Sequence, residues 1–217
     1  EITSCTANGD GWYTETIVDR MLINMLLILI SKSTSTQTVF GQGMTSGGES
    51  AMKAYLTGSL DAKGMFYGYS STDKAVKVFG MENYWGCQWR RHAGLIQKGG
   101  KAYYKLTRGT ADGSTATDFN IDGTGYIEHS GSLSADSGWQ STQAFDTNLM
   151  IPPSVGASDA THMCDYYWVN TDVTTYALRG GSSGDGSGCG AFALTLGDDV
   201  SVARWYSGCA PSLKPLA

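Results

Sequence analysis

The sequence predicts an α+β fold. Apolar positions follow a helical spacing early in the chain, over residues 13–33, and short β-type runs separated by turns follow from about residue 64 onward. The two patterns do not alternate along the chain, so a parallel sheet with crossover helices is not expected. With 217 residues, the chain is long enough for one domain, 1–217, that buries most of its apolar surface.

The composition is typical of a folded chain with many tight turns. Gly accounts for 29 residues and Pro for only 4. The chain carries 15 Lys and Arg against 20 Asp and Glu, a net charge of −5. Because nucleic acids and anionic membranes both attract clustered cations, this balance argues against either as a partner. The longest apolar run, Met21–Ile30, is too short to cross a bilayer, so no membrane insertion is expected.

Two helices are predicted before the strands. The first covers 13–33 and has an apolar arc so wide that we expect it to be almost wholly buried. The second, weaker helix is predicted near Glu49–Leu56, after the Gly-rich segment FGQGMTSGG. Since the chain starts at Glu1 instead of Met, we expect it to be the C-terminal part of a longer protein.

Short strands and long polar loops are predicted for the rest of the chain. The strand-like runs are GMFYG, AVKVFG, KAYYKL, GYIEH, TTYAL and GAFALTL. Two polar, poorly patterned stretches, Gly109–Gly125 and Gly131–Asp146, are predicted to be surface loops. We therefore expect 109–160 to be a loop-rich insertion within the single domain.

Motifs for catalysis or metal binding are weak. Asp118–Gly123 matches the start of a calcium loop, but Glu128 falls one position before the bidentate ligand that such a loop needs, so a turn between two strands is favoured. The histidines His92, His129 and His162 are scattered, and no nucleophile motif accompanies them. The sequence predicts no catalytic residue, no cofactor and no metal site.

The cysteines leave their redox state open. They are Cys5, Cys87, Cys164, Cys189 and Cys209, an odd number without a C-x-x-C spacing. Buried thiols are favoured, because Cys packs as a small apolar side chain. Pairing of two or more in an oxidising compartment is the alternative, and the sequence does not say which would pair.

Aromatic residues are concentrated in 79–92, FGMENYWGCQWRRH. Tyr84, Trp85 and Trp89 could form a binding surface, but large aromatics beside arginines more often pack in a core with a polar edge. We favour the core interpretation.

The C-terminal quarter has a different character. Residues 176–196 place Gly, Ser and Asp between two strand-like runs. Glycines allow backbone segments to approach closely, and small side chains leave room for another molecule to contact the surface. A flexible hairpin loop is the alternative.

The segment 79–92, followed by YALRGGS, CGAFAL and the ending WYSGCAPSLKP, resembles C-type-lectin-fold proteins of the formylglycine-generating-enzyme branch. The chain is most similar to variable proteins of diversity-generating retroelements in gut phages and prophages, from the helix at 13–33 to Ala217 and least over 109–160. The resemblance implies two helices packed on a small twisted antiparallel sheet, chain ends close together, and long irregular loops.

The resemblance also implies a non-enzymatic binding protein whose C-terminal face is diversified by mutation of template adenines. Residues 171–217 contain no Asn, which agrees with that history. The implied ligand is a macromolecule, a host-cell surface protein or glycan, and the implied location is a virion tail or surface fibre, or the bacterial cell surface. A homo-oligomer is compatible with it.

The implied ligand-facing positions are polar or aromatic: Tyr166, Tyr167, Arg179, Ser182, Ser183, Asp185, Ser187, Arg204, Tyr206 and Ser207. The implied scaffold is small or apolar: Gly180, Gly181, Gly190, Ala191, Phe192, Trp205 and Leu213. Two other functions stay open, an oxidase of the formylglycine-generating type and a structural virion or pilus subunit. The sequence departs from the oxidases, because Cys189 and Cys209 are too far apart in sequence to match the cysteine pair of those enzymes. It also departs from calcium-dependent lectins, because the Glu-Pro-Asn and Trp-Asn-Asp motifs are absent.

Overall fold

The computed structural model describes residues 2–9, 11–47, 56–106, 119–143, 150–161, 163 and 165–213. Several predictions from the sequence concern other residues. The predicted helix near Glu49–Leu56, apart from Leu56, lies outside the described residues, and so do Asp118, His162 and Cys164.

The described residues form an α+β fold, as predicted. The helices are α1 (Ile2–Thr6), α2 (Ile17–Ser31) and α3 (Thr36–Phe40). The strands are β1 (Trp12–Thr14), β2 (Lys77–Val78), β3 (Met81–Glu82), β4 (Trp89–Lys98), β5 (Lys101–Tyr104), β6 (Ile127–Glu128), β7 (Gly138–Trp139), β8 (Tyr166–Val169), β9 (Thr175–Arg179), β10 (Leu194–Leu196), β11 (Ser207–Cys209) and β12 (Pro211–Leu213).

The main sheet has the strand order β6-β5-β4-β9-β10-β8-β7, and β11 also pairs with β4. The pairs β8–β10 and β4–β11 are parallel, so the expectation of a purely antiparallel sheet is wrong for these two pairs. Outside this sheet, β1 pairs with β12 and places Trp12 opposite Leu213. This pairing brings the two ends of the described chain together, as expected.

Helix α2 is shorter than predicted because its first expected turn is used elsewhere: residues 12–14 form β1. Thr16 caps the helix, since its side chain accepts from the Asp19 backbone N–H and its own N–H donates to the Asp19 carboxylate, at 3.0 Å. The helix ends at Lys32, which adopts the left-handed conformation with φ 53° and donates to the Ile28 carbonyl.

The prediction that this helix is almost wholly buried is wrong. Its buried positions form one stripe at helical spacing and include two polar residues: Ile17, Arg20, Asn24 and Leu27. Its opposite face is apolar and exposed: Leu22, Met25, Leu29 and Ile30. The two buried polar side chains bond to the backbone of a loop described below.

Among the described residues, the core has three clusters: one between α2 and the central strands, a second around the aromatic segment, and a smaller third of Trp89, Leu178 and Ala193. The first includes Ile17, Leu95 and Leu194, and Ile151 joins it from the region 109–160. The second surrounds Trp85 and includes Leu27, Val76, Tyr84 and Phe192. Tyr84 and Trp85 are fully buried, and Trp89 is nearly so, which confirms the core interpretation of the aromatic segment.

The strand predictions are confirmed for KAYYKL, GYIEH and TTYAL, which contain β5, β6 and β9. AVKVFG and GAFALTL form strand only at Lys77–Val78 and Leu194–Leu196, and GMFYG contributes a single bridge through Tyr67. The predicted loop Gly131–Asp146 contains β7. Sequence analysis missed β4, the longest strand, because Gly94 and charged residues interrupt its pattern.

Candidate binding groove beside the glycine-rich loop

The glycine-rich segment is tightly packed, not a flexible hairpin. Gly181 and Gly190 have φ values of 83° and 144°, in the region that favours glycine. A Cβ on Gly181 would lie 2.4 Å from Cys189 Sγ, and one on Gly190 would lie 2.2 Å from the Asp165 carboxylate. Any larger residue at either position would collide, which agrees with the expectation that the glycines allow backbone segments to approach closely.

The buried side chain of Asp165 holds the turn that precedes β10. Its Oδ2 accepts hydrogen bonds from the backbone N–H groups of Phe192, at 2.7 Å, and Ala193, at 3.1 Å. Phe192 and Ala193 are fully buried, so these donors have no access to water. The carboxylate therefore replaces solvent for two backbone groups next to β10.

The polar face of α2 holds the same turn from the other side. Arg20 Nη2 and Asn24 Nδ2 donate to the Ala191 carbonyl, at 3.1 and 2.9 Å. Thr36 of α3 accepts from the Ala191 N–H at 3.0 Å. The bonds of Arg20 and Asn24 explain why these two polar residues face inward on α2.

Two predicted ligand-facing residues, Tyr167 and Arg179, lie in the core instead. Each is completely buried. The Tyr167 hydroxyl donates to the Ser134 carbonyl at 3.3 Å, and Arg179 Nη2 donates to the Met150 carbonyl at 2.8 Å. Burial, with a smaller contribution from the Arg20 charge, lowers the pKa of Arg179 to about 9. The prediction that Tyr167 and Arg179 face a ligand is therefore wrong, and both belong to the scaffold.

A hydrogen-bonded pair, Ser182 and Asp185, stabilises the turn in the loop after β9. The Asp185 carboxylate accepts from the Ser182 N–H at 2.7 Å and from its hydroxyl at 2.6 Å. This turn buries Ser182 and Ser183, which were predicted to face the ligand, and leaves Asp185 half-buried. Cys189 Sγ donates to the Ser182 carbonyl at 3.2 Å, and burial raises the pKa of that thiol.

A groove of about 550 Å³ lies beside this turn. Its walls come from β4, β8, the turn at 182–185, the end of β10 and the segment before β11. They consist of aromatic, acidic and small polar residues: Trp89, Ser137, Trp168, Val169, Asn170, Ser182, Gly184, Asp185, Thr195, Gly197, Asp198, Trp205 and Tyr206. The groove thus brings together three of the predicted residues: Ser182, Asp185 and Tyr206.

Aromatic rings form one wall of the groove. Trp168 lies against Trp89 with ring centroids 5.2 Å apart at 88°, and against Tyr166 with centroids 4.5 Å apart. Tyr166 also contacts Trp139 edge-on, at 5.2 Å. The predicted residue Tyr166 therefore supports Trp168 from behind and does not line the groove.

Trp205 and Tyr206 both line the groove, although the resemblance implied that only Tyr206 faces the ligand. Trp205 was expected in the scaffold, but it is 36% exposed. Tyr206 is half-buried against the cluster of Trp89, Leu178 and Ala193. The expectation for Trp205 was wrong because β11 begins only at Ser207, so Trp205 and Tyr206 do not point to opposite faces of a strand.

The remaining predicted residues lie at or beyond the rim. Arg204 is exposed, with Nη2 3.7 Å from Asp198 Oδ1, so it faces the acidic end of the groove. Ser187 is exposed and donates to Asp159 at 3.3 Å, away from the groove lining. Ser207 is half-buried in β11. Of the predicted scaffold, Leu213 pairs with β1, and its side chain lies outside the described part.

Sequence reasoning missed Trp168 and Asp198. Trp168 lies two residues after Tyr166 on β8, and residues two apart on a strand share one face. The prediction that Tyr166 faces the ligand therefore already implied that Trp168 lies on the same face. Asp198 lies two residues after the end of β10, and nothing in its local sequence distinguishes it from a turn residue. Among the described residues, no group of three or more His, Cys, Asp and Glu side chains could hold a metal ion.

Comparison with models of known protein families gives no match, and neither does comparison with curated proteins. Over the described ranges, no helix combines the length and the apolar character needed to cross a membrane.

Proposed function

We propose that this chain is a non-enzymatic binding module of the C-type lectin fold, which holds a macromolecular ligand in the groove between Trp168 and Trp205. The groove is the observation that carries the proposal. It concentrates aromatic and carboxylate side chains that four separate segments of the C-terminal region contribute. Aromatic side chains combined with a few convergent polar groups in a cleft are typical of ligand-binding sites.

The chemistry of the lining indicates the kind of ligand. Aromatic faces stack on the apolar face of a sugar ring or on a flat side chain. Asp185 and Asp198 accept hydrogen bonds from hydroxyl or ammonium groups, and Arg204 adds a donor at the rim. Rigid aromatics lose little conformational entropy on binding, which suits them to this role. A host-cell surface glycan or protein offers the complementary groups.

The resemblance to variable proteins of diversity-generating retroelements supports the proposal from the sequence side. Asp185, Arg204 and Trp205 lie within 171–217, the segment without Asn. In such a protein this segment would be exposed on a virion tail or fibre, or on the bacterial surface.

Thiol chemistry of the oxidase type receives no support from the geometry. Cys189 is fully buried, its Sγ donates to a backbone carbonyl, and its pKa is raised. A nucleophilic thiol needs the opposite environment, one that is accessible and that stabilises the thiolate. The environment of Cys189 therefore argues against its use in oxidase chemistry.

The experiment measures binding of the wild-type chain to an array of bacterial surface glycans and purified surface proteins. For each partner found, Trp205→Ala and Trp168→Ala should weaken binding at least tenfold, since buried aromatic anchors dominate interface energies. Tyr69→Ala is the matched control, because Tyr69 is an exposed aromatic that does not line the groove. It should change affinity less than twofold.

Equal affinities of Trp205→Ala, Trp168→Ala and wild type for the same partner would place the site elsewhere and refute the proposal. Each measurement is repeated in EDTA, where binding should persist. A loss of binding in EDTA would show that the ligand is held through a metal ion instead.

A further inference from the structure

Two cysteines from opposite ends of the chain meet on the side of the sheet where β11 joins β4. Cys5 lies on α1 and Cys209 ends β11, and their Sγ atoms are 3.5 Å apart although 204 positions separate them in sequence. Their approach does not depend on the sulfur contact alone. The β1–β12 pair and the hydrogen bond from the Glu15 N–H to the Ala210 carbonyl, at 2.9 Å, hold the same two chain ends together.

We propose that Cys5 and Cys209 form a disulfide when the protein is in an oxidising compartment. A disulfide needs its sulfur atoms about 2 Å apart, so a small side-chain movement closes the present gap. The β1–β12 pair and the hydrogen bond from Glu15 to Ala210 already hold the backbone near both cysteines. The disulfide would therefore form without a change of fold.

The exposure of the two thiols sets the order of the reaction. Cys209 is partly exposed and lines a second groove of about 610 Å³, whereas Cys5 is buried. The oxidant is a disulfide, either a small molecule or a protein. The Cys209 thiolate attacks one of its sulfur atoms and displaces the other as a thiol, which leaves a mixed disulfide on Cys209.

The Cys5 thiolate then attacks the Cys209 sulfur of the mixed disulfide and displaces the second oxidant thiol. Overall, the two protein thiols lose two electrons and two protons. The oxidant disulfide gains both and leaves as two thiols, so atoms and electrons balance.

The other described cysteines are less suited to this reaction. Cys189 is fully buried and its Sγ donates to the Ser182 carbonyl. Cys87 lines the same groove as Cys209, so it is the competitor that the experiment has to distinguish.

The bond would fix the strand that directly follows the groove residues Trp205 and Tyr206. It would tie β11 to α1 and thereby anchor the end of that segment from the N-terminal side of the molecule. The inference stands whatever the groove binds, because it rests on the positions of the two sulfur atoms and on the backbone pairing beside them.

The arrangement of tryptic cleavage sites makes the pairing directly readable. The first Lys or Arg is Arg20, so Cys5 lies in the peptide 1–20, and cleavage after Arg204 places Cys209 in a C-terminal peptide from 205. Cys87, Cys164 and Cys189 fall in three further peptides. The purified full chain is incubated with oxidised glutathione, alkylated without reduction, digested and analysed by mass spectrometry.

The expected product is the peptide 1–20 linked to the peptide from 205, and this species disappears when reductant is added before alkylation. The proposal is overturned if these two peptides are recovered only as alkylated thiols. It is also overturned if Cys209 is found linked to the peptide of Cys87 or Cys164.

Thermal unfolding gives a second, independent measurement. Because a crosslink over so long a loop restricts the unfolded chain, the oxidised protein should melt roughly 5–10 °C above the reduced protein. Cys5→Ser and Cys209→Ser should each remove this difference between oxidised and reduced samples, while Cys87→Ser retains it. Equal melting temperatures of oxidised and reduced wild type would overturn the proposal even if neither serine variant folds.

Discussion

Replacing Asp165 with Ala should lower the free energy of unfolding by about 2–4 kcal/mol. The carboxylate is fully buried and accepts from the backbone N–H groups of Phe192 and Ala193, at 2.7 and 3.1 Å. The Ala193 N–H also donates to the Gly190 carbonyl at 3.2 Å, so the variant leaves only the Phe192 N–H without an acceptor, which costs about 1–3 kcal/mol. The remainder comes from Arg179, a buried cation that the Asp165 charge stabilises.

Urea unfolding followed by tryptophan fluorescence measures this loss, with far-UV circular dichroism to confirm that the variant is folded. Asp165→Asn keeps an oxygen acceptor but loses the charge, so we expect an intermediate loss of about 1–3 kcal/mol. Asp172→Ala is the matched control, because Asp172 is exposed, and it should change stability by less than about 0.5 kcal/mol. If Asp165→Ala loses no more than Asp172→Ala, the turn does not depend on the carboxylate and the reasoning is refuted.

Two further predictions concern the groove and the core. Tyr206→Ala should destabilise the protein by about 2–3 kcal/mol and Trp205→Ala by only about 1 kcal/mol, because Tyr206 packs on a buried cluster while Trp205 is exposed. Thermal and urea unfolding of both variants measure the difference, and a larger loss for Trp205→Ala would contradict the assigned orientations. The second prediction is that stability falls as pH drops below about 6.5, because burial, with nearby arginines, holds the pKa of His92 well below its ordinary value of 6.5. The unfolded chain then binds a proton that the folded chain does not, which costs up to about 1.4 kcal/mol per pH unit. Urea unfolding at pH 7.5 and 5.5 should show a smaller pH-dependent loss for His92→Gln than for wild type, and equal losses would exclude His92 as the cause.

The fold class and the aromatic core could be predicted from the sequence because they depend on residue type. Tyr84, Trp85 and Phe192 are large and apolar, and they lie in glycine-punctuated segments whose chain must turn tightly. The close approach at Gly190 could be predicted for the same reason, since a run of small residues between strands indicates backbone contact. Such signals are local and need no knowledge of the neighbours.

The orientation of individual side chains could not be predicted, because it depends on what covers each element. In β9, Ala177, Leu178 and Arg179 are all buried, since the strand lies between β4 and β10 in the middle of the sheet and other elements cover both of its faces. In α2, Leu29 is 68% exposed, whereas two of the buried positions hold the polar side chains Arg20 and Asn24, which bond to a distant loop. That loop is 171 positions away from Arg20, and no local pattern reports it.

The way the glycine-rich loop is held explains how its rim could vary without loss of the fold. Its segment 191–193 is held by side chains that lie earlier in the chain than the proposed variable segment: Arg20, Asn24, Thr36, Gln140 and Asp165. Arg204 and Trp205, by contrast, project into solvent at the groove. Substitutions at these two positions therefore leave the hydrogen bonds that shape the loop in place. Ser182 and Asp185 differ from them, because their side chains form the turn of the loop itself, so a diversified face could vary Arg204 and Trp205 but not this pair.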